Sequence, residues 1–237
     1  MTGNIFKNLY ICKSSIIFIA ILGIVCSAVC IAISAMGSSM TDLDSSDLMP
    51  IFALCHFFVF FSGTFSLTTL FTCDERSAWI NFVSSTPFSA KGHVLAKYCT
   101  MLLINILMIL ICLISSAISF SIYPDANIIK AIFIFFIITI LYNSITMPFF
   151  FRFGGNKGLA TVGITAAVIL FIAVVYFLYG DISVIDLKKP LSSIIKFFSK
   201  KWSRVTFLVI FRITAVLYFV SYIISLKLYK KGTENYE

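Results

Sequence analysis

Continuous apolar runs of about twenty residues recur along the chain, separated by short polar connectors. A helix needs about 20 mainly apolar residues to cross the hydrocarbon core of a bilayer. The pattern therefore predicts an all-α integral membrane protein with six transmembrane helices in a single domain, residues 1–237. The runs do not alternate between apolar and polar residues, as the strands of a membrane barrel do. The predicted spans are Ser15–Met36, Ile51–Thr72, Tyr98–Tyr123, Ile128–Phe151, Leu159–Gly180 and Val205–Leu226.

Composition agrees with a membrane location, since 60% of the residues are hydrophobic and only 12% are charged. Soluble domains are about 45–50% apolar and about 25% charged. The net charge of +8 could suggest a nucleic-acid partner, but the basic residues lie mainly in the connectors, which is typical of a positive-inside bias. The seven cysteines form no C-x-x-C pair and are interpreted as small buried apolar side chains, with no disulfide or metal site expected.

The distribution of Lys and Arg between alternate connectors predicts that both termini are cytoplasmic. Ten basic residues fall on the side of the termini and seven on the other. The first outer connector contains Asp42, Asp44 and Asp47 and no basic residue, in agreement with this orientation. The last outer connector opposes it, because Asp181–Arg204 holds six of the seven outer basic residues.

Two further segments are amphipathic. The connector Asp181–Arg204 is predicted to form a short helix in the lipid headgroups, and a substrate contact or gate at the exit is the alternative. The N-terminal segment Asn4–Lys13 mixes apolar, aromatic and basic residues and is predicted to lie at the inner interface.

The connector between the second and third spans has the most specific pattern. Acidic residues precede an aromatic segment with helical i, i+3, i+4 spacing, and a proline ends it. The pattern predicts a short amphipathic helix that lies either in the headgroups or in a groove of a soluble partner. The residues of this segment are Asp74, Glu75, Arg76, Trp79, Phe82, Val83 and Pro87.

The same connector resembles that of the ABC-2 type permease family of bacterial ABC transporters. The resemblance rests on Asp74-Glu75, Trp79, Thr86-Pro87-Phe88-Ser89 and Lys97-Tyr98, and on Pro148–Gly154 at the end of the fourth span. Among these permeases the chain is most similar to the small ones of peptide exporters, including the phenol-soluble modulin exporter and lantibiotic-immunity transporters.

The resemblance implies a transport subunit in the bacterial cell membrane that exports amphipathic or antimicrobial peptides. It also implies a second permease, identical or not, and two cytoplasmic ABC ATPase subunits that dock on the segment beginning at Asp74. The chain has no G-x-x-x-x-G-K-[ST] loop, so ATP and Mg²⁺ are expected on the ATPase. No cofactor and no enzymatic activity are expected in this chain. Gly154–Gly158 is interpreted as a tight turn between the fourth and fifth spans.

Polar residues within the spans are candidates for a translocation path: His56, Asn105, Asn143 and Arg212. For the first three the alternative is interhelical hydrogen bonding. Arg212 could instead extend to the outer interface. His93, in the connector, is predicted to be solvated.

Two other classes of protein remain open at this point. One is a channel or secondary transporter that does not use ATP, and the other is a membrane immunity or scaffold protein that does not transport. No metal-ligand spacing and no nucleophile–base pair favours an intramembrane enzyme.

Overall fold

The fold is helical throughout the residues that the computed structural model describes, which are 2–39, 45–76, 90–124, 128–179 and 204–234. Each helix coincides with an apolar run or, for the first, with the amphipathic N-terminal segment. The helices are α1 (Thr2–Ile11), α2 (Lys13–Ser39), α3 (Ser45–Arg76), α4 (Ala90–Ile122), α5 (Ile129–Tyr179) and α6 (Arg204–Glu234).

Five segments of these helices are long and apolar enough to cross a membrane, and they correspond to five of the six predicted spans. They are Lys13–Met36, Ile51–Glu75, Lys91–Ile122, Ile129–Gly155 and Phe207–Lys230. The remaining predicted span, Leu159–Gly180, is helical as far as Tyr179. Its side chains from residue 165 onward lie outside the described residues, so this span stays a prediction.

A single residue, Gly154, divides α5 into two helical segments. Its φ of 79° and ψ of −173° are not helical, and a positive φ is readily adopted only by glycine. Beyond it, the backbone of Gly158 packs so closely on Phe150 that a Cβ there would lie 3.2 Å from the Phe150 Cα. In a straight helix, residues eight apart are separated by about 12 Å along the axis, so the second segment folds back on the first. The predicted tight turn is thus shorter than expected, because residues 155–158 are already helical.

The core of the bundle lies between α3, α4 and the first segment of α5. Half of the residues in the most apolar stretch of α3 are buried, against 17% in α2 and 11% in α6. At Gly63 the end of the Met108 side chain of α4 packs directly on the backbone of α3, since a Cβ there would lie 2.6 Å from the Met108 Cε. Small residues commonly permit such contacts between membrane helices.

Hydroxyl groups attach the peripheral helix α6 to its neighbours. The Tyr98 hydroxyl of α4 lies 2.7 Å from both the Ser221 and the Ser225 hydroxyls. The Tyr218 hydroxyl donates to the backbone carbonyl of Tyr98, and the Ser221 hydroxyl donates to that of Ser144 on α5. These hydrogen bonds position α6, which buries few apolar side chains.

Candidate functional site

The two carboxylates that precede the connector 77–89 lie at one end of the bundle, which we call the loop end. Asp74 is only 3% exposed, and its oxygens contact two ammonium groups: Lys7 Nζ of α1 at 2.7 Å and Lys97 Nζ of α4 at 2.8 Å. The His93 Nε2 lies 3.9 Å from the same carboxylate. These four residues are called the Asp74 cluster, and they join three helices through one carboxylate.

Lys97 is the most deeply buried cation of the Asp74 cluster, with a side chain that is 2% exposed. Its Nζ also lies 3.6 Å from the centre of the Phe71 ring, a distance at which the ring face attracts a cation. Burial of a charge is tolerated when a partner of opposite charge is close, and removal of that partner is strongly destabilising. The helix α4 therefore depends on Asp74 at this end.

His93 is buried and not solvated, so the prediction for this residue was wrong. It is 3% exposed, and its ring packs against that of Tyr229 at a tilt of 33°, with centroids 5.4 Å apart. The reason is that α4 begins at Ala90, well before the predicted start of the third span at Tyr98. His93 and Lys97 are then four residues apart in one helix, and both face Asp74.

The contact of Lys7 fixes α1, the helix formed by the segment predicted to lie at the interface, against the base of α3. Burial lowers the pKa of the Lys7 ammonium, and the hydrogen bond to Asp74 opposes that shift. Phe6, the residue before Lys7, and Tyr10, about one turn after it, are exposed. The helix thus has one charged contact toward the bundle and two exposed aromatic side chains.

Glu75, next to Asp74, connects the end of α3 to α5. We call the contacts of Asp74 and Glu75 together the junction. Its Oε1 accepts a hydrogen bond of 2.5 Å from the backbone N–H of Gly155, the first residue after the break. The first N–H groups of a helix have no partner within it, and a carboxylate there satisfies a donor and complements the helix dipole. Gly155 allows this approach, because a Cβ at this position would lie 2.8 Å from the backbone nitrogen of Thr72. A Cβ at Gly154 would collide with the Glu75 carboxylate itself.

The residues predicted to couple the chain to an ATPase, which are those of the segment beginning at Asp74, lie partly inside and partly outside the described residues. Asp74 and Glu75 contact α1, α4 and α5 of the same chain. Arg76 is the last residue of α3, and nothing of its side chain is described. The other members lie outside the described residues: Trp79, Phe82, Val83 and Pro87.

The four candidates for a translocation path do not lie together. His56, Asn105 and Asn143 are buried inside the bundle, whereas Arg212 is exposed on α6. Arg212 follows Phe207, the first residue of its span, by five residues, which corresponds to a depth of about 8 Å. At that depth a long side chain can extend to the interface.

The three buried residues differ in their hydrogen bonding, and the interhelical alternative stays open for His56, whose ring approaches the backbone of Cys112 on α4 as well as that of Phe52. The His56 Nδ1 lies 2.7 Å from the carbonyl oxygen of Phe52 in its own helix. The side-chain amides of Asn105 and Asn143 have no hydrogen-bond partner among the described residues, although both are 1% exposed. Polar groups are therefore present in the core of the bundle and available to other partners.

Sequence reasoning missed the part that Lys7, His93 and Lys97 play. A usable signal was present: basic residues near the loop ends of the first and third spans, opposite an acid at the loop end of the second. Charged residues at membrane depth usually pair with one another, so these positions could have been matched.

In the part of the chain that the structure describes, five helices long and apolar enough to cross a membrane and a buried charge cluster at one end define a multi-pass membrane protein. Residues 4–230 match the model of the family described as ABC-2 family transporter protein, and the chain belongs to this family. The match confirms the resemblance noted from the connector at family level. No curated protein and no solved structure was found to match the chain.

Proposed function

We propose that the chain is the permease subunit of an ABC exporter that moves amphipathic or antimicrobial peptides out of the bacterial cell membrane. A separate ATPase subunit supplies the energy, and ATP and Mg²⁺ bind there. The observation that supports this function most is the junction at Asp74 and Glu75, which joins the base of the connector 77–89 to three other helices.

The junction offers a mechanical route from an ATPase to the spans. A force on the connector reaches the last turn of α3, which contains Asp74 and Glu75, because the connector leaves from the end of this helix. Asp74 passes it to α1 and α4, and Glu75 passes it to the break in α5. Interfaces with two discrete arrangements convert small displacements of this kind into movements of whole helices.

The proposed complex contains two permeases, identical or different, and two ATPases, with the peptide path between the permeases. The buried amides of Asn105 and Asn143 support a path that opens during the cycle, because they lack described partners in this conformation. A polar group that gains a partner in a second state favours that state by its hydrogen-bond energy, about 1 kcal/mol.

Reconstitution of the chain with its ATPase in lipid vesicles tests the proposal. We expect ATP-dependent peptide efflux, and we expect Trp79→Ala to reduce efflux strongly because an aromatic anchor at an interface contributes about 2 kcal/mol or more. The chain has two tryptophans, so Trp202→Ala, in the predicted headgroup helix, is a matched control that should retain efflux.

The other outcomes separate the remaining classes. Efflux that proceeds equally without ATP supports a channel or secondary transporter. Peptide binding without efflux supports an immunity or scaffold protein. Failure of any ATPase to co-purify in mild detergent, together with unchanged efflux in Trp79→Ala, contradicts the proposed coupling.

A further inference from the structure

Four cysteines from three helices converge in the part of the bundle distant from the loop end. Cys26 and Cys30 belong to α2, Cys55 to α3 and Cys112 to α4. The Cys55 thiol interacts with the thiols of both Cys30 and Cys26. Cys26 and Cys112 also line one small cavity together with His56, the residue after Cys55. All of them are free thiols in this structure.

The positions of Cys26 and Cys30 make both accessible to the same partner sulfur. They are four residues apart in α2, so they lie on one face of the helix in consecutive turns. Cys55, on the neighbouring helix, is the sulfur that both of them contact. Cys30 and Cys55 are buried, whereas Cys26 is partly exposed at the surface of the bundle.

We propose that Cys55 is a redox modification site at which a disulfide to Cys26 or Cys30 links α2 to α3. Either disulfide joins the same two helices, so both have the same structural consequence. Cys112 belongs to the thiol group but is not needed for the link. The inference does not depend on the proposed transport function, because it concerns only bonds within this chain.

A peroxide is the oxidant class that balances the reaction. The sulfur of one thiol attacks a peroxide oxygen, the O–O bond breaks, and the products are a sulfenic acid and one water. The sulfur of the second thiol then attacks the sulfenic sulfur, the S–S bond forms as the S–O bond breaks, and a second water leaves. Two thiols and one hydrogen peroxide thus give one disulfide and two waters.

The link would act far from the contact that α2 makes with α3 near the loop end. Near the loop end, the Ser15 hydroxyl of α2 lies 3.3 Å from the Thr69 hydroxyl of α3. Cys30 follows Lys13, where α2 begins, by seventeen residues, which places it about 26 Å along the helix. Only 17% of the most apolar stretch of α2 is buried, so a covalent bond at Cys30 or Cys26 would prevent separation of the far halves of α2 and α3.

Cleavage of the connector between α2 and α3 by a protease tests the proposal on the full chain. A protease site is inserted in the connector 40–44, between α2 and α3, and a tag is placed at the N-terminus. The purified protein in lipid vesicles is treated with hydrogen peroxide, its remaining thiols are alkylated, and it is cleaved and analysed on a gel without reductant. We expect the tag to remain with the large fragment and to be released as a short fragment by dithiothreitol.

Serine variants identify the partners. Cys55→Ser and the double variant Cys26→Ser, Cys30→Ser should release the tagged fragment even after oxidation. Each single variant at Cys26 or Cys30, and the matched control Cys112→Ser, should retain it. Mass spectrometry of the oxidised wild-type chain gives a readout independent of variant folding, namely a linked peptide that contains Cys55. Release of the fragment from the oxidised wild type, or its retention by Cys55→Ser, overturns the proposal.

Discussion

The loop end and the middle of the bundle differ in whether their buried polar side chains have partners. At the loop end, the buried carboxylate of Asp74 has ammonium groups at 2.7 and 2.8 Å, and Glu75 accepts a backbone hydrogen bond. In the middle, the amides of Asn105 and Asn143 are equally buried but have no hydrogen-bond partner among the described residues. The loop end is therefore built as a fixed junction, while the middle keeps polar groups that another conformation or a substrate can use.

Removal of a buried polar group should change the free energy of unfolding differently in the two regions. Removal of one member of a buried ion pair leaves an uncompensated charge and costs about 3–5 kcal/mol. Removal of a buried polar group that has no partner relieves a desolvation penalty of about 1–3 kcal/mol. Substitutions in the two regions should thus change stability in opposite directions.

The largest expected effect is that of Asp74→Ala. It leaves Lys97 buried without its carboxylate, so we expect a loss of about 3–5 kcal/mol in the free energy of unfolding. Thermal or denaturant unfolding of the purified chain in detergent measures it. Combination with Lys97→Met should recover much of the loss. A single variant as stable as the wild type would show that the Asp74 cluster does not hold the helices together.

Gly155→Ala should have the next largest effect. The new Cβ would lie within 3.0 Å of backbone atoms of Thr72, which cannot move as a side chain end can, and overpacking of this kind costs about 1–3 kcal/mol. Gly92→Ala is the matched control in α4, because nothing lies within 4 Å of a Cβ there. The control should be neutral or slightly stabilising. Equal stability of the two variants would contradict the close approach of α3 to the break in α5.

Asn143→Leu is expected to have a smaller effect in the opposite direction. Leucine has a similar shape and no polar group to leave unpaired, so we expect a gain of about 1 kcal/mol in unfolding free energy. The same variant should lose peptide efflux if the amide is used during transport. A marked loss of stability instead would show that the Asn143 amide has a structural partner, and the contrast between the two regions would disappear.

The membrane-crossing helices could be predicted from the sequence, because the length of an apolar run that crosses the bilayer matches the thickness of the hydrocarbon core. The start of α4 could not, since His93 and Lys97 are polar and were assigned to a connector although both are buried against Asp74. Hydropathy cannot distinguish a polar residue that is solvated from one that has found a partner.

The role predicted for Asp74 and Glu75 in coupling to an ATPase stays a prediction, but their contacts with other helices of the chain were not predicted. The sequence indicated a segment that docks on an ATPase, and the described contacts of these two residues lie within the chain. Lys7 and Asp74 are 67 residues apart in sequence, and Glu75 and Gly155 are 80 apart. Such pairs depend on how the helices pack, which a single sequence does not specify. The turn at Gly154 was recognisable from its glycines, but not its reduction to one residue.

The most direct test of the central claim is the number of peptides exported per ATP hydrolysed, measured in vesicles that contain the permease and its ATPase. The variant Asp74→Asn, Lys97→Met removes the charged link between α3 and α4 without leaving Lys97 charged and unpaired. If the junction transmits the work of the ATPase, ATP hydrolysis should continue while the ratio falls several-fold. An unchanged ratio in a folded, ATPase-bound variant would contradict the account.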